Sequence, residues 1–263
     1  MMTRFPVTRL ALAFALALLP VRQAGAQSAA LSAADHITLG DREYEARRAT
    51  AARAHFLQAI ALEPKNYEAL WKASRVEVDL AEAAAKGAEA DSLMAYGEAH
   101  ARDAVAVRPD DAEGHFSLAR ALGRKALSVG VMDRIRYSKI VRAEALEALR
   151  HDSTHAGALH VLGMWHAEVM RVNGFARAFA RAFLGAQVFG LANWDDAQRL
   201  LEASVRHDPL QRIVHHLDLA GIYADRGMKD RARREYEWIA AAPVRDINDD
   251  LYQRQAAERL KRL

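Results

Sequence analysis

The chain has 263 residues, no cysteine and a formal net charge of +3 at pH 7. Without cysteine there can be no disulfide and no lipid-modified N-terminal cysteine, so an apolar core must hold a chain of this length. The excess positive charge lies in residues 1–26, which contain three arginines and no acidic residue; the other 34 basic residues balance 34 acidic ones. A balanced charge argues against nucleic acid as the main partner, because phosphate binding needs a basic surface.

Residues 1–26 have the three parts of a secretory signal peptide. A start with two arginines precedes an apolar run over residues 10–19, and the small residues Ala24-Gly25-Ala26 follow. The apolar run has about half of the roughly 20 residues that a membrane-spanning helix needs, so cleavage after Ala26 is favoured over a retained anchor. The pattern predicts an exported protein, and the lack of cysteine favours the bacterial periplasm.

The remainder of the chain, residues 27–263, predicts an all-α repeat protein. Apolar residues recur at spacings of three and four, and no stretch alternates with a period of two. Three stretches resemble the tetratricopeptide pattern W-x2-L-G-x2-Y…A-x3-F…P, in which small residues let paired helices touch and proline marks the turn between repeats. They are HITLGDREYEARRATAARAHFLQAIALEP, ALHVLGMWHAEV and LDLAGIYADRGMKDRARREYEWIAAAP.

The turn markers of the repeats are widely spaced. Pro64, Pro109, Ser153 and Pro209 lie 45, 44 and 56 residues apart, against about 34 in the standard repeat, so the middle repeats carry extensions. We therefore predict a right-handed superhelical stack of tetratricopeptide-like hairpins with an insertion helix and a C-terminal capping helix. The predicted hairpins are 33–66, 67–111, 112–155, 156–211 and 212–244, and the capping helix is 246–263.

The segment from about His115 to the C-terminus is similar to the tetratricopeptide domain of the regulator of microtubule dynamics proteins. The resemblance is carried by AEALEALRHDSTHAGALHVLGMWHAEV, the aromatic insertion that follows, WDDAQRLLEASVRHDP and the final hairpin. It implies an extended helical fold whose concave side can hold a lipid or a peptide. Nothing in this sequence is basic or acidic enough to suggest tubulin as a partner.

The insertion NGFARAFARAFLGAQVFG predicts an amphipathic helix. Phe175, Phe179 and Phe183 fall on one side, and Arg177 and Arg181 fall on the other. We expect the aromatic side to pack on the neighbouring hairpin. The alternative is that it forms one wall of a ligand cavity. Membrane contact is the weakest of the three interpretations, because a short helix with few cations binds a membrane weakly on its own.

The first helix of each hairpin lines the concave face of a tetratricopeptide array, which yields a set of candidate groove residues. Aromatic rings beside arginines suit a ligand with an apolar body and an anionic end, since guanidinium donates two parallel hydrogen bonds to carboxylate or phosphate. The alternative is that the aromatics belong to the core between repeats and the arginines are solvated. The candidates are Tyr44, Trp71, Arg75, Phe116, Arg120, Arg124, His160 and Met164.

Motifs for catalysis and cofactor binding are absent from the sequence. It has no cysteine nucleophile, no G-x-S-x-G, no glycine-rich phosphate loop and no H-E-x-x-H. His151 and His155 flank a turn, whereas a zinc site needs three or four convergent ligands. We therefore expect neither an enzyme, nor a metal site, nor a cofactor.

The function predicted from the sequence is binding. We expect a periplasmic scaffold that holds a partner protein or peptide in the concave groove. One alternative is a protein that binds a lipid or another amphiphile, with the Phe175–Phe183 helix walling the groove. A second alternative is an accessory component of a periplasmic solute-uptake system.

Overall fold

The computed structural model describes residues 31–263, so the predicted signal peptide and its cleavage site lie outside the described residues. Within that range the chain forms α-helices and one short 3-10 helix, Gln187–Leu191, and no strand, which confirms the predicted all-α repeat fold. No helix in residues 31–263 is both long and apolar enough to cross a membrane. The helices are α1 Ala33–Glu45, α2 Ala49–Leu62, α3 Tyr67–Ala83, α4 Ala88–Val107, α5 Ala112–Ala126, α6 Val131–His151, α7 Ala156–Arg171, α8 Gly174–Phe183, α9 Trp194–His207, α10 Ile213–Asp225, α11 Lys229–Ala241 and α12 Asp249–Leu260.

The helices pack as consecutive pairs. α1 packs on α2, α3 on α4, α5 on α6 and α10 on α11, whereas α7 packs on α9 because α8 and the 3-10 helix lie between these two in the chain. The first helices of successive pairs also contact one another, α1 with α3, α3 with α5 and α5 with α7. The first helices therefore form a continuous layer, which is the layer expected to carry the groove residues.

Side-chain caps determine where many of these helices begin. A cap satisfies backbone N–H groups that have no partner inside the helix. Ser32 and Asp35 form a reciprocal capping box at α1, with Asp35 N donating to Ser32 Oγ at 3.2 Å and Ser32 N donating to Asp35 Oδ2 at 2.9 Å. Polar side chains of the same kind accept a backbone hydrogen bond at the starts of α3, α5, α8 and α9; they are Asn66, Asp111, Asn173 and Asn193.

Two glycines permit the closest contacts between the first helices and the aromatic side chains beside them. A Cβ atom on Gly40 would lie 2.5 Å from the ring of Phe56, which is fully buried between α1 and α2. A Cβ atom on Gly157 of α7 would likewise lie 2.5 Å from the ring of Phe116 on α5. Gly40 and Gly157 are therefore needed for close packing and not for backbone flexibility.

The C-terminal segment contacts both the last hairpin and the first two hairpins. α12 packs on α10 and α11, and the loop before it reaches back to the first two hairpins. Asn248 Nδ2 donates to the backbone oxygen of Asp79 at 3.1 Å, and Ile247 packs against the apolar cluster around Phe56. Arg47 and Asp250 form an exposed ion pair at 3.2 Å. The end of the chain therefore contacts the first hairpins and forms part of the concave side.

We predict that Gly40→Ala destabilises the protein by about 1–3 kcal/mol, because the added methyl group must displace the buried ring of Phe56. The matched control is Gly123→Ala in α5, where no atom of another element lies within 4 Å of the added Cβ. Alanine has the higher helix propensity, so the control should gain up to about 1 kcal/mol. Urea unfolding followed by circular dichroism measures both changes, and equal shifts in the two variants would contradict the packing role of Gly40.

Candidate functional site

Five of the eight candidate groove residues line one cavity of about 460 Å³. We call this the N-terminal groove cavity. The first helices of three successive hairpins supply these side chains, and a spacing of four along α3 and α5 places two of them on the same side of each helix. The five residues are Tyr44 of α1, Trp71 and Arg75 of α3, and Phe116 and Arg120 of α5.

The remaining three candidates lie elsewhere. Arg124 and Met164 line a second cavity of about 550 Å³, and Tyr252 of α12 lines both cavities. His160 lines neither of the two; its Nε2 atom lies 2.9 Å from an oxygen of Asp218. Seven of the eight candidates therefore belong to two cavities with α12 at both, and not to one continuous groove.

Two of the three candidate arginines are held by carboxylates of α3. Arg120 forms an ion pair with Asp79, and Arg124 Nη1 lies 3.2 Å from Glu82 Oε1. Burial acts to lower the pKa of Arg120, but the charge and hydrogen bond of Asp79 outweigh it and hold that pKa above its usual value. These ion pairs fasten α5 to α3 and neutralise both arginines.

Asp79 and Glu82 were missed as partners of these arginines, although the sequence contains a signal for them. They lie four and seven residues after Arg75, so they fall on the same face of α3 as the candidate groove residues. Asp79 Oδ2 also accepts a hydrogen bond from the Tyr44 hydroxyl at 2.7 Å. The groove face of α3 is therefore acidic as well as aromatic and basic.

Arg75 is the candidate arginine whose charged group has no carboxylate partner among the described residues. Its guanidinium carbon lies 4.0 Å from the ring centre of Tyr44 and 5.3 Å from that of Trp71. Within residues 31–263 no carboxylate lies within 4 Å of its nitrogens, and its Nε atom is buried without a hydrogen-bond partner. Buried polar atoms are rarely left unpaired, so this guanidinium is suited to receive an anionic group.

The loop before α12 forms another wall of the N-terminal groove cavity through Asp246, Ile247 and Asn248. Burial, followed by the negative charges of Asp79 and Asp249, raises the pKa of the Asp246 carboxyl. The repeat pattern does not predict that the C-terminal segment lines this cavity, because its position depends on how far the stack curves back.

The aromatic insertion lies away from both cavities. Phe175, Phe179 and Phe183 are 84%, 47% and 74% exposed, and none of them lines either cavity. Ala180 is the buried residue of α8. Packing of the phenylalanines on the neighbouring hairpin, the expected arrangement, is therefore wrong, and so is their use as a groove wall. The reason is that the opposite side of α8 faces the protein.

The chain matches a known protein family over most of its length. Residues 30–263 match the model of the family RMD1-3, regulator of microtubule dynamics protein 1-3. The chain belongs to this family. The match also includes the first two hairpins, which precede the segment where the sequence resemblance was recognised.

Solved structures of TPR proteins are similar to this regulator of microtubule dynamics family member, and one of them has a TM-score above 0.5. A thermophilic TPR protein of Thermus thermophilus is 18% identical, with a TM-score of 0.62, over 86% of this chain and 100% of that one. YrrB, a TPR protein with an unusual peptide-binding site, is 14% identical with a TM-score of 0.42, over 88% of this chain and 93% of that one. No curated protein matches the sequence. At these identities the likeness concerns the fold alone.

In this family member, Ser204, His215 and Asp208 lie together without forming a catalytic triad. Ser204 Oγ and Asp208 Oδ2 both lie 3.1 Å from the same ring nitrogen of His215, Nδ1, whereas a triad needs the serine and the carboxylate at different nitrogens. Ser204 is fully buried and its hydroxyl donates to the backbone oxygen of Ala156. The cluster therefore joins α9 to α7 and α10.

A second histidine cluster has metal-ligand chemistry but is already bonded within the protein. Ligand atoms of His115, Glu147 and His151 lie within 4.8 Å of one another, a grouping that the sequence spacing of the histidines does not reveal. The two ring nitrogens of His115 lie 2.6 Å from Glu144 Oε2 and 2.9 Å from the backbone oxygen of Pro109. Burial acts to lower the pKa of His115, but these two hydrogen bonds outweigh it and raise that pKa.

We predict that Asp79→Ala lowers the free energy of unfolding by about 3 kcal/mol, because it leaves the Arg120 charge half-buried without a partner. Combining Asp79→Leu with Arg120→Met removes both charges and should recover most of the loss. The matched control is Asp195→Ala, which breaks the exposed pair with Arg226 and should change stability by less than about 1 kcal/mol. Urea unfolding measures all three variants, and equal losses for the two alanine variants would contradict the role of Asp79.

We also predict that His215 makes the protein sensitive to acid. Burial, opposed by the hydrogen bond to Asp208, lowers the pKa of His215 to about 4 from 6.5. The unfolded chain therefore takes up the proton first, so the contribution of His215 is complete above pH 6.5 and is lost progressively as the pH falls towards 4. The loss should approach roughly 3 kcal/mol.

Unfolding free energies measured between pH 7 and pH 4 test this prediction. His215→Gln cannot take up the proton and should give a flatter acid profile than the wild type. The matched control is His207→Gln, whose side chain is exposed, and it should keep the wild-type profile. An unchanged acid slope in His215→Gln would show that other groups cause the acid sensitivity.

Proposed function

We propose that the protein is a non-enzymatic scaffold that holds an extended peptide segment of a partner protein in the N-terminal groove cavity. An acidic side chain or a terminal carboxylate of the peptide binds Arg75. Two observations on the Arg75 guanidinium carry the proposal. It lies between two aromatic rings at the cavity, and its buried Nε atom has no hydrogen-bond partner in residues 31–263. Guanidinium binds carboxylate through two parallel hydrogen bonds.

The loop before α12 supports an extended peptide as the ligand. This non-helical segment of the protein already lies along the cavity and contacts it through one apolar and two polar residues. Ile247 packs on the cluster around Phe56, and the side chain of Asn248 donates to a backbone oxygen of α3. A partner peptide beside this loop would use the same two kinds of contact.

A peptide fits the groove better than an acyl chain does. The cavity is lined by charged side chains as well as aromatics, including Asp79, Arg120, Arg212 and Asp246. An acyl chain would remove water from these groups without offering them hydrogen bonds, which is unfavourable. A peptide offers backbone and side-chain partners instead. The amphiphile alternative also required a wall of phenylalanines, and these lie outside the cavity.

We also propose that the protein acts in the periplasm. The signal-peptide pattern of residues 1–26 supports export, so the partner would be a periplasmic protein or the periplasmic part of a membrane protein.

Photo-crosslinking tests the proposal. A photoreactive amino acid at Trp71 should crosslink a partner in cells, and the same amino acid at Tyr96, an exposed residue of α4, should not crosslink it. Arg75→Met keeps the aliphatic stem between the rings but removes the charge. We expect this change to weaken capture at least tenfold, a loss of about 1.4 kcal/mol or more, because the anionic group of the peptide loses its partner.

The matched control is Arg102→Met on α4, where the arginine forms an exposed pair with Glu98, and it should leave capture unchanged. Circular dichroism of both variants checks that they fold. Wild-type capture by Arg75→Met would exclude Arg75 as the anion site. Crosslinks from Tyr96 and none from Trp71 would show that the partner binds the outer surface and not the cavity.

A further inference from the structure

The carboxylate of Asp246, in the loop before α12, is a second charged group at the N-terminal groove cavity that lacks an oppositely charged partner among the described residues. Within residues 31–263 no nitrogen of a basic side chain lies within 4 Å of its oxygens, and these oxygens accept no hydrogen bond. This includes Arg75, the cation of the same cavity that has no carboxylate partner. In the part of the chain that the structure describes, the cavity therefore holds one unpaired cation and one unpaired carboxylate, and the two do not pair with each other.

The arginines around Asp246 are bound to other groups. Arg212 Nη1 lies 2.9 Å from Asp208 Oδ1. The residue that precedes Asp246 in the chain, Arg245, donates from Nη1 to the backbone oxygen of Leu210 at 3.1 Å. These contacts direct both guanidinium groups away from the Asp246 carboxylate and leave that carboxylate to the cavity.

Backbone contacts, and not its own side chain, hold Asp246 at the cavity wall. The carboxylate of the buried residue Asp249 accepts the backbone N–H groups of Arg245 at 2.8 Å and of Asp246 at 2.7 Å, both at Oδ2. Two backbone donors on one carboxylate fix the turn that precedes α12. The Asp246 carboxylate is therefore not needed for the shape of the loop, and a substitution that removes its charge should leave the loop in place.

An unpaired carboxylate in this position is unfavourable for the protein without a ligand. Burial and then the negative charges of Asp79 and Asp249 raise the pKa of the Asp246 carboxyl, and the charges of Arg212 and Arg75 oppose this rise without cancelling it. A partly buried charge is stabilised when a group of opposite sign pairs with it. The cavity therefore favours a cationic group beside Asp246, as it favours an anionic group beside Arg75.

We propose that the peptide in the N-terminal groove cavity carries a basic group, which binds Asp246 while the acidic group of the same peptide binds Arg75. The basic group is a lysine or arginine side chain or a free N-terminal amine. This inference rests on the proposed peptide binding and specifies its ligand, a segment with charges of both signs. Two opposite charges at fixed positions also select the direction of the peptide, because a reversed peptide would place like charges together.

Selection from a pool of short peptides of random sequence tests the proposal. The full chain is incubated with the pool, and mass spectrometry identifies the peptides that it retains. The wild type should enrich peptides that contain both an acidic and a basic residue. Asp246→Asn keeps the shape of the side chain but removes its charge, so the enrichment of basic residues should fall about tenfold while that of acidic residues remains. Arg75→Met should give the opposite pattern, and Asp246→Lys should enrich a second acidic residue in place of the basic one.

The matched control is Asp250→Asn, which removes an exposed carboxylate four residues further along the same segment and outside the cavity. It should select peptides like the wild type. Circular dichroism checks that the variants fold; Asp246→Asn should be at least as stable as the wild type, because it removes repulsion by Asp79 and Asp249. A second pool with acetylated N-termini distinguishes the two sources of the cation, since acetylation abolishes retention only if the N-terminal amine binds Asp246.

The outcomes separate this inference from the proposed function. Equal enrichment of basic residues by the wild type and by Asp246→Asn would overturn the inference, and the loss of acidic residues in Arg75→Met would still support the proposed function. Tighter retention of acidic peptides by Asp246→Asn, with no preference for basic residues in the wild type, would show that Asp246 only repels the ligand. Retention of no peptide by the wild type would overturn both proposals.

Discussion

The buried carboxylate of Asp79 connects four parts of the molecule that are far apart in sequence. Its side chain accepts a hydrogen bond from Tyr44 in the first hairpin and pairs with Arg120 in the third. The backbone oxygen of the same residue accepts a hydrogen bond from Asn248 in the C-terminal segment. A buried carboxylate is stable only when it is paired and hydrogen-bonded, so each of these contacts depends on the others. The shape of the N-terminal groove cavity follows from this network.

The network also determines which charges a ligand can use. Asp79 and Glu82 neutralise Arg120 and Arg124, whereas Arg75, on the same face of α3, lies between aromatic rings without a carboxylate partner in residues 31–263. The groove therefore presents the Arg75 cation among aromatics and satisfied ion pairs. Such a surface favours a ligand with a single anionic group and several hydrogen-bonding groups, which describes a peptide better than a lipid.

Two departures from a plain repeat shape the surface of the molecule. The C-terminal segment curves back and forms one wall of the groove, and the insertion between α7 and α9 presents an exposed aromatic face. The standard hairpins supply the rigid support for both.

The sequence by itself determined the all-α repeat fold, the family and five of the residues around the groove cavity, because spacings of three and four identify the side chains that share a helix face. Such spacing does not reveal which face turns inwards or which charge across the groove becomes a partner. Only the tertiary structure decided that Arg120 is neutralised while Arg75 lies between aromatic rings, since their environments depend on packing between hairpins. It also decided that the phenylalanines of α8 face outwards, because Arg177 binds the carbonyl groups at the end of α7 and holds the other side of the helix against the protein.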